Sequence, residues 1–226
     1  MALGMAFGSD GIFKISFDNF VLAEQICSVA LIFIMFYGGF GTRCSEARPV
    51  AGKSILLSSA GVVLTALFTG IFCHFALKMD LLEGLLLGAV LGSTDAASVF
   101  SILRSKKLNL KYGTASMLEL ESGSNDPFAY MMTVVILSAI SGPMDMGGMA
   151  LLLVRQLFFG LLIGAAAAGL AAWFMKRFAF YGEGFDTIFV FAVAIASYAL
   201  SSVLGGNGYL STYLTGIILG NCELKN

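Results

Sequence analysis

The stretch Gly84-Leu85-Leu86-Leu87-Gly88-Ala89-Val90-Leu91-Gly92-Ser93-Thr94-Asp95-Ala96-Ala97-Ser98 opens as an apolar helix and then loses the means to continue as one. Gly84, Gly88 and Gly92 recur every four residues, so one helix face carries a stripe of small residues where a neighbour can approach closely. The run Gly92-Ser93-Thr94-Asp95 suits a helix poorly. Glycine is entropically costly to order, and Ser, Thr and Asp side chains compete for backbone hydrogen bonds. A break here frees backbone carbonyls able to bind a cation. It also leaves a helix N-terminus whose partial positive charge calls for an anion, and Asp95 is placed to cap it. The alternative at this point is an intact helix with Asp95 hydrogen-bonded inside a bundle.

The surrounding composition says what kind of helix this is. The chain has 226 residues, 58% hydrophobic and only 12% charged, with a mean hydropathy of +0.89. That leaves too little polar surface to cover a globule in water, so the fold class is an all-α membrane protein. A net charge of −1 offers no basic patch and excludes a nucleic-acid partner. Cys27, Cys44, Cys73 and Cys222 lack the spacing of a disulfide framework or a zinc site. A crossing needs about 20 apolar residues. Six full spans meet that need: Val21–Phe40, Ile55–Leu77, Leu82–Leu103, Thr114–Ile140, Gln156–Met175 and Thr187–Leu204. Partial spans flank them, Met1–Gly8 at one end and the short Tyr209–Gly220 at the other. The whole of 1–226 reads as a single, partial transmembrane region, with no soluble domain between spans.

Loop charge sets the orientation. Arg43, Arg48 and Lys53 follow the first span; Arg104, Lys106, Lys107 and Lys111 follow the third; Lys176 and Arg177 follow the fifth. The intervening loops hold only Lys14 and Lys78, with Arg155 at a span edge. The positive-inside rule therefore places loops 41–53, 104–111 and 176–186 in the cytoplasm. Arg155 and Trp173 read as membrane-edge anchors, His74 and Glu24 as interfacial groups, and Gly160, Gly164 and Ala168 as a packing stripe.

Ionisable groups at membrane depth are functional candidates. Besides Asp95, the fourth span offers Glu119-Leu120-Glu121-Ser122-Gly123-Ser124-Asn125-Asp126-Pro127. At about 100° per residue, Ser122 and Glu119 share a face with Asp126, Asn125 flanks that face, and Glu121 points away. Pro127 cannot donate a backbone hydrogen bond, so the Gly123 carbonyl loses its helical partner and a kink is expected beside Asp126. Oxygen-rich surroundings suit a hard cation. A carboxylate shut away from water is costly to keep charged, so it holds a proton or a metal ion but hardly both. That competition couples two flows if the site faces one side of the membrane at a time. The alternative is a structural acid paired with an arginine.

The strings Gly92-Ser93-Thr94-Asp95-Ala96-Ala97 and Glu121-Ser122-Gly123-Ser124-Asn125-Asp126-Pro127 resemble the two signature motifs of the cation:proton antiporter superfamily. The likeness is to its NhaP-type branch, which includes bacterial potassium/proton antiporters. Gly38-Gly39-Phe40-Gly41-Thr42-Arg43, Leu204-Gly205-Gly206-Asn207-Gly208 and Gly216-Ile217-Ile218-Leu219-Gly220-Asn221 agree, and the similarity runs the length of the chain. The resemblance implies part of an inverted-repeat transporter fold with a discontinuous helix. Its function would be exchange of K⁺ or Na⁺ for H⁺ in the plasma (inner) membrane, in service of pH homeostasis. It implies an ion-binding helix pair at 82–140, with Asp126 as the cation and proton carboxylate. Thr94 and Ser122 would supply oxygen ligands to the monovalent cation, with Asp95 nearby. Asn125 stands where electrogenic relatives carry a second Asp, which implies electroneutral exchange. Glu121 resembles an acid that forms a structural ion pair with an Arg on a later helix. The implied partners are monovalent cations, protons, the lipid bilayer and, at full length, a second copy in a homodimer. No cofactor is implied beyond the transported ions.

The chain departs from the family pattern in three ways. Tyr37 stands where members often carry an acid. The chain begins inside what is normally the second helix, and it stops after the short seventh span. It therefore reads as a fragment, and a truncated, transport-inactive product is the alternative. An intramembrane aspartyl protease, the enzymatic alternative, would need Tyr-Asp and Gly-x-Gly-Asp motifs that the chain lacks. A channel would need a filter string such as TVGYG, also lacking.

Overall fold

The computed structural model describes residues 2–9, 11–15, 19–106, 110–142, 145–177 and 184–222. The chain divides into a small unit, Met1–Leu31, and a large one, Ile32–Asn226. The small unit holds helix α1 (Ala2–Phe7) and the start of α2 (Phe20–Phe40), with Phe7 stacked on Phe13 at 4.6 Å. The large unit begins within α2 and continues through α3 (Cys44–Ala47), α4 (Ala51–Leu77), α5 (Leu81–Leu91), α6 (Ala96–Ser105), α7 (Thr114–Ser141), α8 (Met146–Arg177), α9 (Phe185–Val203) and α10 (Gly208–Gly220). All regular structure among the described residues is helical.

Among the described residues, five stretches are long and apolar enough to cross a membrane: Phe20–Phe40, Ala51–Leu77, Leu81–Leu103, Met146–Arg177 and Phe185–Val203. Helix α7, at 28 residues, is long enough but less apolar, because it carries Glu119, Glu121 and the polar run before Pro127. Helix α10 has 13 residues, which span roughly 20 Å and fall short of the hydrocarbon core. The interruption expected in the third span is present: α5 ends at Leu91, α6 begins at Ala96, and Gly92–Asp95 join them.

Small residues bring α4, α5 and α7 together. A Cβ on Gly88 would lie 2.7 Å from the Cα and carbonyl oxygen of Ala66, and one on Gly84 would lie 2.9 Å from the Gly70 carbonyl. The glycine stripe of α5 therefore faces the backbone of α4. Ala66, Ala89 and Ile136 form the buried centre of this bundle, and Ser54 Oγ donates to the Met117 carbonyl (3.2 Å) to tie α4 to α7.

A second bundle comprises α8, α9 and α10. Ser197, Ser211, Thr212 and Thr215 are all fully buried there. Ser197 Oγ lies 2.6 Å from Ser211 Oγ and 2.9 Å from Thr215 Oγ1, and Thr215 donates to the Gly164 carbonyl (3.1 Å). Gly160 and Gly164 face α10, as the packing stripe implied: their Cβ positions would meet Asn207, Leu210, Ser211 and Leu214. The C-terminal half of α2 crosses α10 backbone to backbone. A Cβ on Gly216 would lie 2.9 Å from the Phe40 nitrogen, and one on Gly220 would run into the Phe40 carbonyl. Beyond the crossing, Asn221 donates to the Thr42 carbonyl (2.7 Å) and accepts from the Cys44 N–H (2.8 Å).

Three expectations are corrected. Helix α8 starts at Met146 rather than Gln156, because Asp145 caps it by accepting from the Gly148 N–H (2.9 Å) and the next residues are apolar. Arg155 is thus inside α8 rather than at its edge. Its guanidinium donates to the Leu204 carbonyl (2.9 and 3.1 Å), where the positive charge favours the C-terminus of α9. The segment 41–53 is not all loop, since it contains α3 and the start of α4. Of the other two basic loops, 107–109 and 178–183 lie outside the described residues.

The α4–α5 contact has a direct test. Gly88→Val should destabilise the protein by about 1–3 kcal/mol through overpacking against backbone. Gly61→Ala, where a Cβ meets nothing within 4 Å, should leave the melting temperature unchanged or higher. Thermal unfolding in detergent measures both.

Candidate cation site at the interrupted helix

The break is stabilised by its own side chains and by α7. Asp95 accepts from the Ser98 N–H (3.1 Å) and from the Ser98 hydroxyl, so it caps α6 as the sequence suggested. Its negative charge sits at the positive end of that half-helix. Asn125, 3% exposed, reaches across from α7. With its carboxamide oriented so that each polar atom has a partner, the nitrogen donates to the Gly92 carbonyl (3.1 Å). The oxygen then accepts from Thr94 Oγ1 (3.1 Å) and the Thr94 N–H (3.3 Å). One side chain thereby satisfies both edges of the interruption.

Asp126, half-buried, accepts a hydrogen bond from the Ser93 hydroxyl. The carboxylate therefore stands at the break, 33 residues away in sequence from the serine that holds it. It has no cationic partner among the described residues, where the ion pair is the exposed Arg43–Glu46 contact at 3.2 Å. Thr94, next to Ser93 in the break, is engaged with Asn125. Ser122 is buried, and its hydroxyl donates to Glu121 (3.3 Å) rather than to Asp126. Asp95, Ser93 and Thr94 are exposed along one side of the break. The arrangement brings the Asp126 carboxylate to the Ser93 hydroxyl at the break, oxygen donors of the kind that suit a hard cation.

Two functional contacts were not singled out from sequence. Ser93 stood in the quoted motif, and its adjacency to the break was the available signal. Asn207 stood in another quoted motif without a role. Its side chain donates to the Pro127 carbonyl (2.9 Å), next to Asp126 in the chain. Nearby, a Cβ on Gly123 would lie 2.6 Å from Tyr213 Cζ, and Tyr130 meets Tyr209 edge to face at 5.1 Å. These contacts join α7 to α10. Tyr37 lines a cavity of about 500 Å³ with Ile34, Ala97, Phe100, Ser101 and Ser105, which follows α6 away from the break.

The Asp95 cap can be tested alone. Asp95→Ala should cost α6 about 0.5–2 kcal/mol, whereas Asp95→Asn, which still accepts from the Ser98 N–H, should cost much less. Hydrogen–deuterium exchange over residues 96–105 reports the difference.

Known proteins share this chain's sequence pattern and fold. Residues 1–226 match the family described as sodium/hydrogen exchanger, transmembrane. The chain is 37% identical over 224 residues to the K(+)/H(+) antiporter NhaP2 of Shewanella oneidensis, covering 98% of this chain and 38% of that protein. It is 35% identical over 229 residues to the K(+)/H(+) antiporter NhaP of Alkalimonas amylolytica, covering 99% of this chain and 39% of the relative. The solved structure of the sodium proton antiporter MjNhaP1 from Methanocaldococcus jannaschii at pH 8 superposes with a TM-score of 0.79 at 23% identity. That match covers 97% of this chain and 54% of the other. The chain spans about 38% of the length of the curated relatives it matches most strongly. With a broken membrane helix, its carboxylate-bearing neighbour and a family match over every residue, the chain belongs to the transmembrane sodium/hydrogen exchanger family.

Proposed function

We propose that the full-length protein is a secondary antiporter exchanging a monovalent cation, K⁺ or Na⁺, for H⁺. The observation that carries this reading is Asp126: a half-buried carboxylate at a helix break, hydrogen-bonded by Ser93 and without a cationic partner among the described residues. Removing such a group from water disfavours its bare charge, so it takes up either a proton or a metal ion. Mutual exclusion at one carboxylate is enough to couple the two fluxes. The ion-binding pair is 82–140, with Thr94, Ser122 and Asp95 near the cation. Asn125 supports electroneutral exchange, because a carboxamide does not titrate and this one is committed to Gly92 and Thr94.

Access alternates in this proposal. The cavity lined by Tyr37, Ala97, Phe100, Ser101 and Ser105 would serve as the approach to the site. Loops 41–53, 104–111 and 176–186 are assigned to the cytoplasmic side of the plasma membrane by their positive charge. The α4–α7 bundle moves against the α8–α10 bundle, whose buried hydroxyl cluster makes it the stiffer body. A homodimer and a structural ion pair for Glu121 belong to the full-length protein. Because Ser93, Thr94 and Asp95 are exposed, exchange is assigned to that protein, and residues 1–226 alone are expected to be inactive in transport.

Vesicles containing the full-length protein and a pH-sensitive dye, offered Na⁺, K⁺ and Li⁺ in turn, test the proposal. Asp126→Asn should abolish cation-driven proton movement; exchange at the wild-type rate would remove Asp126 from the mechanism. In the wild type, competition predicts that the half-maximal cation concentration rises by up to about tenfold per unit fall in pH wherever the protonated site dominates. A half-maximal concentration independent of pH would mean separate sites. Asn125→Asp should make the rate sensitive to membrane potential, measured by clamping the vesicles with a K⁺ gradient and valinomycin while Na⁺ drives exchange.

A further inference from the structure

In the structure the Asn207 side chain hydrogen-bonds the segment that carries Asp126 to a turn on the opposite bundle. Asn207 is fully buried between α9 and α10. Its Oδ1 accepts from the Leu210 N–H (3.0 Å) and caps α10, its Nδ2 donates to the Pro127 carbonyl (2.9 Å), and its main-chain N–H donates to the Gln156 carbonyl (3.0 Å). One residue thus holds α7, α8 and α10 together. The contact falls where α7 is weakest. Pro127 has no N–H, so the Gly123 carbonyl lacks its ordinary helical donor, and the turn bearing Asp126 is under-bonded within its own helix. Glycines clear the space: a Cβ on Gly160 would lie 3.0 Å from the Asn207 carbonyl, and one on Gly123 would enter the Tyr213 ring.

We propose that Asn207 is a positioning residue for the exchange site: by fixing the carbonyl next to Asp126, it sets the carboxylate's place against Ser93 and the helix break. This rests on the proposed role of Asp126. Asn207 touches neither the break nor Asp126 itself and acts through the α7 backbone. Losing its donor therefore loosens the turn without removing any oxygen from the site. Binding of the cation, which needs the carboxylate and the break in register, should weaken, while turnover at saturating cation is largely retained.

The test uses the full-length protein and two substitutions. Asn207→Ser keeps an N-cap but is too short to reach Pro127. Asn207→Asp keeps both size and cap and has no donor once ionised, so it is measured at high pH. Both are good N-caps, so α10 remains closed. In each, exchange of the amides in 123–131 should accelerate roughly tenfold, and the half-maximal cation concentration should rise roughly three- to tenfold with the maximal rate within about twofold of wild type, as for the loss of one hydrogen bond. Ser211→Ala, which weakens the α9–α10 hydroxyl cluster away from α7, should lower the melting temperature while leaving the half-maximal concentration unchanged. Unaltered amide exchange in 123–131 in both substitutions overturns the inference. So does faster exchange with an unchanged half-maximal concentration, which would make Asn207 purely structural. If Asp126→Asn transports like the wild type, the reading of the site fails instead, and the amide exchange still decides whether Asn207 holds α7.

Discussion

A helix interrupted inside a membrane has to satisfy its own broken backbone. Hydrocarbon offers no water to the carbonyls and N–H groups that an interruption releases, and each unpaired one costs several kcal/mol. Here the repair comes from two side chains. Asp95 closes the N-terminus of α6 through Ser98, and Asn125 takes the Gly92 carbonyl and both donors of Thr94. The second of these sits next to Asp126, so the residue that repairs the break also fixes the helix that brings the carboxylate to it. Structure and site are therefore one arrangement: whatever moved α7 away would unpair Gly92 and Thr94 as well as separate Asp126 from Ser93.

The division of labour among neighbouring polar residues follows. An acid in place of Asn125 could accept from Thr94 but could not donate to Gly92, so the carboxamide does what no carboxylate does at that position. Asp126, one residue on, faces the break with a serine hydroxyl and without an Arg or Lys among the described residues. Adjacent residues on one helix turn are thus split into a neutral brace, Asn125, and a carboxylate held by a serine, Asp126. Asp95, though nearby, is used to offset the partial charge of the α6 terminus.

Much of this was legible in the sequence because the signals were local. Glycine followed by Ser, Thr and Asp stops a helix through backbone competition within a few residues, and the interruption falls at Gly92–Asp95 as that argument requires. The four-residue glycine spacing of α5 translated directly into contact with Ala66 and Gly70. What was not legible depended on distant partners. The hydroxyl of Ser122 shares a helix face with Asp126, yet the structure turns it to Glu121, because rotamer choice depends on neighbours that periodicity does not describe. Ser93 reaches Asp126 across 33 residues and Asn207 reaches Pro127 across 80. The onset of α8 depends on the Asp145 cap, which lies eleven residues before Gln156, where span-length hydrophobicity alone starts the helix.

The glycines of the other motifs gain a physical meaning that composition could not supply. Gly39, Gly216 and Gly220 let α2 and α10 meet main chain to main chain, and Asn221 seals one end of the crossing with bonds to Thr42 and Cys44. Helix α10 is short for a span, yet it is pinned at one end by Asn207, along its length by Ser211 and Thr215, and at the other end by Asn221. Interhelical hydroxyl and amide bonds of this kind stabilise helix pairs where lipid supplies no hydrophobic drive between them. A helix bonded at so many points is firmly held. The proline of α7, by contrast, leaves a turn with fewer internal bonds, and that turn carries Asp126.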